Sequence, residues 1–384
     1  MVYLDYSATT PPHPQVIARV QEAMTHAWGN PSSIHRYGQR AALLMERARL
    51  AVAELLGVTP EEVIFTSGGT EANHLAIFGV AQQYDQPQHI ITSAVEHPAV
   101  SAPLAALARR GWQITTLPVD STGRVDPQTL ESHLQPNTVL VTVIYGQSEV
   151  GTLQPIADLA QICRAHGVLF HTDAVQVVGR LPVNVPELGV DLLSLSAHKF
   201  YGPQGCGALV VRRGIDLQPW LYGGGQERGL RSGTPPVALL AGLEVAARLA
   251  MTEFLPQQSY VSHLRDYLRR RLLELPGLRL TGSWEQRLPH HVSVVWEQGD
   301  ETHTGQTLVH LLSQRGIAVS SGSACASGKT QPSPVLLAMG YDERLARCGL
   351  RFSLSHLTTP SEIDLAVDIL AEVLQQLTPT LSCR

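Results

Sequence analysis

The sequence predicts an α/β protein: a large domain on a mostly parallel, seven-stranded sheet flanked by helices, followed by a smaller α+β C-terminal domain. Three observations lead there. Seven short β-branched runs alternate with helical stretches between residues 62 and 211. After residue 251 the pattern changes to helices and short strands in looser order. And 384 residues are too many for one ordinary core, so two domains are the default.

Two helical stretches open the chain, at 14–26 and 39–56, the second with Ala, Leu and Met at helical spacing. The strand-like runs follow at 63–66, 89–92, 114–117, 139–145, 168–171, 192–196 and 208–211. Helical periodicity fits 71–82, 99–110 and 156–165 between them. Alternation of this kind requires crossover connections and therefore a mostly parallel, buried sheet. The apolar helical stretch at 237–251 is broken by Glu244 and Arg248. Beyond it come a helix at 259–274, strands at 278–280 and 292–296, and a helix at 304–314. A cysteine-bearing loop at 320–333, a strand at 350–355 and a helix at 361–377 complete the pattern. The expected division is 1–254 and 255–384, with roughly the first dozen residues packing on the smaller domain.

Composition narrows the class. The chain is 44% hydrophobic and 16% charged, ordinary for a globular enzyme, and its net charge of -5 gives no electrostatic case for nucleic acid or anionic membrane as main partner. The first five residues have no basic start and no apolar run, and no segment is apolar enough to span a bilayer, so the expected address is cytoplasmic. Cys163, Cys206, Cys325, Cys348 and Cys383 are scattered without Cys-x-x-Cys spacing. An odd, spread-out set points to a reducing compartment, away from a disulfide framework or structural zinc.

Four motifs carry chemistry. Cys325 sits in Ser320-Ser-Gly-Ser-Ala-Cys-Ala-Ser-Gly328, a loop with almost no apolar surface to bury, so its thiol is not a core filler. Thr66-Ser-Gly-Gly-Thr-Glu-Ala-Asn73 joins a strand to a helix start, where glycine backbone N–H groups and Thr70 suit a phosphate. Taken alone it serves equally as a capped, Gly-rich turn. His171-Thr-Asp-Ala-Val-Gln176 puts Asp173 at a strand end, where a carboxylate holds a pyridinium nitrogen protonated or simply caps the next helix. Leu193-Ser-Leu-Ser-Ala-His-Lys199 ends another strand and offers Lys199 to a carbonyl, with Ser196 and His198 in reach of a phosphate. An isolated lysine there is usually a solvated loop residue. Its spacing from Asp173, one helix and one strand, is the layout that pyridoxal phosphate (PLP) needs.

Together with Arg231-Ser-Gly-Thr234, these motifs occur in the order seen in cysteine desulfurases of the NifS/IscS type, and the chain resembles that family over nearly its whole length. Tyr3-Leu-Asp-Tyr-Ser-Ala-Thr-Thr-Pro11 and Gly29-Asn-Pro-Ser-Ser33 are similar to it too. The family belongs to the class V aminotransferase-like branch of PLP fold-type I, and the long cysteine loop resembles its first group. The resemblance implies a desulfurase that takes sulfur from L-cysteine, gives L-alanine, and leaves a persulfide on Cys325 for an acceptor protein such as an iron–sulfur scaffold. Lys199 would hold PLP and take the Cα proton, and His97 would stack on the ring and move protons. Asp173 would pair with the ring nitrogen and Gln176 with O3′. Gly69, Thr70, Ser196 and His198 would bind the phosphate, joined by Thr234 from a second subunit, which implies a homodimer. Arg351, in Leu350-Arg-Phe-Ser353, would clamp the substrate carboxylate.

Two positions depart from the family. Gln147-Ser-Glu149 stands where Asn-Asn-Glu is usual, so Ser148 replaces an Asn that contacts O3′, and His74 replaces another Asn. Two rival readings are a PLP lyase on the same scaffold, which needs no loop thiol, and a sulfur carrier without PLP, against which Lys199 and Asp173 argue.

Overall fold

A computed structural model describes residues 1–322 and 331–377. In chain order its strands are β1 (Val2–Tyr3), β2 (Val63–Thr66), β3 (His89–Ser93), β4 (Gln113–Leu117), β5 (Thr138–Thr142) and β6 (Leu169–Asp173). β7 (Leu192–Ser196), β8 (Gly207–Val211), β9 (Leu278–Leu280), β10 (His291–Trp296), β11 (Ile317–Ala318) and β12 (Gly349–Ser353) follow. The seven strands β2 to β8 form one sheet, in the order β2-β8-β7-β6-β5-β3-β4. Neighbours pair in parallel except at β8, which runs antiparallel to both β2 and β7.

Both faces of this sheet are covered, and adjacent residues feed opposite cores, as the two-residue period of a strand demands. Ile64, Ile90, Leu140, Leu192 and Leu209 pack on one side with Leu75 and Leu104, from the helices Gly69–Ala81 and Pro98–Ala108. Phe65, Ile91, Val141, Leu193 and Val210 pack on the other with Val52, Leu159 and Leu243, from Arg36–Leu56, Ile156–Ala165 and Val237–Leu249. Burial on two faces makes these strands read as continuous apolar runs. Because β2, β3, β5, β6 and β7 all run the same way, their ends lie along one edge, where ligands bind in open α/β sheets.

A second core lies on the antiparallel sheet β12-β10-β9. Trp296 and Phe352 pack there against Leu268, Leu308 and Leu370, from the helices Gln258–Leu273, Gly305–Gln314 and Pro360–Leu377. Phe254 belongs to the first core and Val261 to the second. Val2 and Leu4 also belong to the second, because β1 pairs in parallel with β11.

The structure refines several boundaries. The helix expected from 71 starts at Gly69, and the one expected from 39 starts at Arg36, capped by His35 Nδ1 accepting from Gly38 N at 3.3 Å. β5 ends at Thr142 instead of 145, although Val143 N and Tyr145 N still donate to the carbonyls of His171 and Asp173. The helices Pro127–His133, Val185–Leu188, Pro334–Ala338 and Glu343–Ala346 are too short for periodicity to announce. Among the described residues, no helix is long and apolar enough to cross a membrane.

Candidate active site

Lys199 lies in the turn Ala197–Lys199, directly after β7. Its Nζ donates to the carbonyls of Ser7 at 2.6 Å and Ala8 at 2.9 Å. Burial, and next the Arg351 cation, push its pKa down to about 8, against the pull of Asp173 and Asp5. A lysine in that range has a usable fraction of neutral, nucleophilic amine near neutrality. Asp173 closes the neighbouring strand β6 and is buried. Its Oδ2 accepts from Asn73 Nδ2 at 2.7 Å and its Oδ1 from Val175 N at 3.0 Å, so both oxygens are held.

His97 caps the helix Pro98–Ala108, its Nδ1 accepting from Ala99 N at 3.1 Å. An accepting Nδ1 leaves the proton of the neutral ring on Nε2. Burial lowers its pKa, Lys199 pushes the same way and Asp173 opposes, so the three share one electrostatic field. The residue itself opens to solvent at the mouth of the site.

The phosphate-type elements gather on the same edge. Gly68 has φ +151°, and a Cβ on it would lie 3.6 Å from Ser196 Oγ. At Gly69 a Cβ would come within 2.5 Å of Val175 Cγ2, so this helix start can press on the loop after Asp173 only as glycine. No side chain caps the first turn, which leaves its N–H donors for a ligand. Thr70 is exposed beside them, and Ser196 is buried. His198 Nδ1 lies 3.1 Å from Thr9 Oγ1, and burial, then Lys199, push its pKa down to about 4, so it is neutral. Arg231 Nε donates to Glu71 Oε1 at 2.8 Å, tying its segment to the first turn of the helix in its own chain. Thr234, three residues on, is exposed.

Arg351, from β12, stands at the junction of the two cores. Its Nη2 donates to Asp5 Oδ1 at 2.7 Å and its Nη1 to the Ser148 carbonyl at 3.0 Å, while its buried Nε has no partner among the described residues. Ser148 thus contributes its backbone, which also meets His291 Nε2 at 3.2 Å. Gln147 is spent locally: Oε1 accepts from Glu149 N and Val150 N, and Nε2 donates to the Val95 carbonyl. Gln176 Nε2 donates to the Ser7 carbonyl at 2.9 Å, so one carbonyl meets both Gln176 and Lys199.

Sequence reasoning missed Asn73, Ser7, Asp5 and Glu96. Asn73 lies in the quoted glycine motif, but its partner is 100 residues away. Glu96 adjoins His97, and burial raises its pKa to about 8. Cys325 and Cys383 lie outside the described residues. Cys163, Cys206 and Cys348 are buried, which pushes their thiols up to about 12, 12 and 11, so none of these three is a ready nucleophile.

Comparison with known proteins decides the family. The Aminotransferase class-V family model matches residues 2–365. A protein of Dictyoglomus turgidum described as cysteine desulfurase IscS is 42% identical over 378 residues, covering 98% of this chain and 95% of its own. The chain belongs to the NifS/IscS cysteine desulfurases. A counterpart in Methanosarcina thermophila, also described as cysteine desulfurase IscS, is 41% identical, with 98% of this chain and 92% of its own covered. Among solved structures, a NifS-like protein superposes with TM-score 0.91 at 37% identity over 98% of this chain and all of its own. SspA in complex with cysteine gives 0.81 at 33% identity, covering 94% of this chain and all of its own.

Members of this family use PLP on fold-type I, and the residues present fit that group. The buried Asp173, with both oxygens fixed, suits a ring N–H. The depressed Lys199 amine suits an aldehyde, and the uncapped helix start suits a phosphate.

Proposed function

We infer that this chain removes sulfur from L-cysteine, releasing L-alanine and leaving a persulfide on Cys325 that passes to an acceptor protein such as an iron–sulfur scaffold. The observation that carries this reading is the pairing of Lys199 with Asp173 at neighbouring strand ends within one electrostatic field. When bound, PLP supplies an electron sink conjugated to the substrate Cα.

Lys199 would hold the cofactor and, once displaced by substrate, take the Cα proton as a base whose depressed pKa suits neutral pH. Asp173 would keep the ring nitrogen protonated, steadied by Asn73. Gln176 would reach O3′ after leaving the Ser7 carbonyl. Gly69, Thr70, Ser196 and His198 would bind the phosphate, the neutral His198 as hydrogen-bond partner and not as cation. His97, with its proton on Nε2, would stack on the ring and return protons. Arg351 would take the substrate carboxylate: its Nε, unpaired among the described residues, marks donor capacity that Asp5 and the Ser148 carbonyl leave unused. The Cys325 thiolate would attack the substrate sulfur; an S–S bond forms as the Cβ–S bond breaks, and protonation of the carbon skeleton leaves alanine.

The exposed Thr234 supports a homodimer in which each chain completes the other's phosphate site. Borohydride reduction of the PLP-loaded protein, followed by peptide mapping, tests the cofactor assignment. Label on Lys199 is expected, and label on any other lysine overturns it.

A further inference from the structure

Arg180 belongs to the loop that follows Asp173, yet nothing in the reaction above calls on it. The residue is 2% exposed, and its donors meet neutral oxygens. Nη2 donates to the carbonyls of Lys199 at 3.0 Å and Tyr6 at 3.4 Å, and Nη1 to the Tyr201 hydroxyl at 3.4 Å. The cation also lies over the Tyr201 ring, 5.3 Å from its centroid. Among the described residues it pairs with no carboxylate. A buried cation without a counter-charge is costly, so packing alone does not account for it.

The two carbonyls belong to stretches that meet at the amine. Lys199 carries it, and Tyr6 directly precedes Ser7 and Ala8, whose carbonyls accept from Lys199 Nζ at 2.6 and 2.9 Å. The same stretches are joined further on, where Thr10 N donates to the His198 carbonyl at 3.0 Å and Tyr201 N to Thr10 Oγ1 at 2.7 Å. Tyr201 has φ +65°, a left-handed conformation that a bulky residue adopts only under constraint. Its hydroxyl donates to Ser355 Oγ at 3.0 Å, two residues beyond the strand that carries Arg351. Gly179, with φ +76°, brings the Arg180 backbone against this turn: a Cβ there would lie 2.5 Å from that of Phe200.

We propose that Arg180 is a positioning residue for Lys199, fixing in one register the backbone that carries the amine and the backbone whose carbonyls hold it. The inference rests on the reading of Lys199 as the cofactor lysine and adds to it a residue that acts through that lysine. A planar fork with several donors serves two carbonyls and a hydroxyl at once. Its charge also disfavours a second cation nearby. Burial is the largest influence on the Lys199 amine; Arg351 and Arg180 push the same way, and Asp173 and Asp5 oppose. His97, His198 and His290 face the amine too, and burial lowers the pKa of each.

Lys199 and Lys329 are the only lysines in the chain, so isotope-labelled lysine gives two side-chain NMR signals, which Lys329→Arg assigns. The test reads the titration midpoint of the Lys199 signal in the cofactor-free, full-length protein and in three variants. Arg180→Met removes charge and donors, Arg180→Gln keeps an N–H donor, and Arg180→Lys keeps the charge. The midpoint should rise by at least about half a unit in Arg180→Met and Arg180→Gln and stay within about 0.2 unit of wild type in Arg180→Lys. In the PLP-loaded protein, Arg180→Met should lower kcat for alanine formation at least about tenfold, with KM for L-cysteine within about threefold. Arg180→Lys should regain most of that loss. Unchanged midpoints in Arg180→Met and Arg180→Gln, or Arg180→Lys as impaired as Arg180→Met, would overturn the proposal. If Arg180→Met does not fold, Arg180→Gln carries the same titration. The titration needs neither cofactor nor turnover. PLP attached elsewhere, or an inactive wild-type protein, would therefore refute the functional reading while the midpoints still decide whether Arg180 governs Lys199.

Discussion

Replacing Glu96 with Gln probes whether an uncharged acid is stored beside His97. The residue is partly exposed, but its carboxyl is buried: Oε1 accepts from Ser93 Oγ at 2.5 Å and Ile144 N at 2.8 Å, and Oε2 has no partner among the described residues. Burial raises its pKa from 4.5 to about 8, the Asp173 charge adds to the rise, and the two hydrogen bonds oppose it. The folded protein thus binds this proton more tightly than the unfolded chain. Its contribution to stability is complete below about pH 4.5 and is lost as pH rises through about 8. At 1.36 kcal/mol per pH unit, the rise from 4.5 to about 8 amounts to about 5 kcal/mol. An amide cannot ionise, so Glu96→Gln removes this pH dependence. Urea unfolding of both PLP-loaded proteins at pH 5 and pH 9 gives the comparison. The stability difference should move in favour of the variant by about 3–5 kcal/mol between the two pH values. A difference that stays constant would refute the assignment of a neutral buried acid.

Three further outcomes follow from the site. Cys325→Ala should retain PLP and still bind L-cysteine, seen as a change in cofactor absorbance, yet form almost no alanine; near wild-type alanine formation would make this thiol a bystander. Asn73→Ala removes one of the two donors to Asp173, a bond to a charged group of about 1.5–3 kcal/mol, and should weaken PLP retention by about tenfold or more in equilibrium dialysis. Arg351→Lys should raise KM for L-cysteine at least about tenfold in steady-state kinetics, because a point charge cannot span Asp5, the Ser148 carbonyl and a carboxylate together.

Most of the central sheet was legible because most of its strands are buried on both faces, so runs such as Val63–Thr66 and Leu192–Ser196 stand out as short, largely apolar segments. Lys199 and Asp173 were legible because each stands at the end of such a run, Asp173 closing β6 and Lys199 in the turn after β7. Their supports were not. Asp5 reaches Arg351 across 346 residues, and Ser7 meets Lys199 across 192, separations at which one sequence carries no pairing signal. β1 and β11 have two residues each, too few for any period to show. Glu96 and Glu149 look like ordinary acids in sequence; only the packing around them raises their pKa values, to about 8 and about 7.

The central claim is sulfur abstraction by Cys325 in a site organised by Lys199 and Asp173. Its most direct test is a single-turnover incubation of the PLP-loaded protein with L-cysteine and no reductant, with alanine quantified and intact peptides weighed. We predict alanine and Cys325 persulfide in equal amounts. Pyruvate with free sulfide, or alanine accompanied by persulfide on another cysteine, would contradict the account.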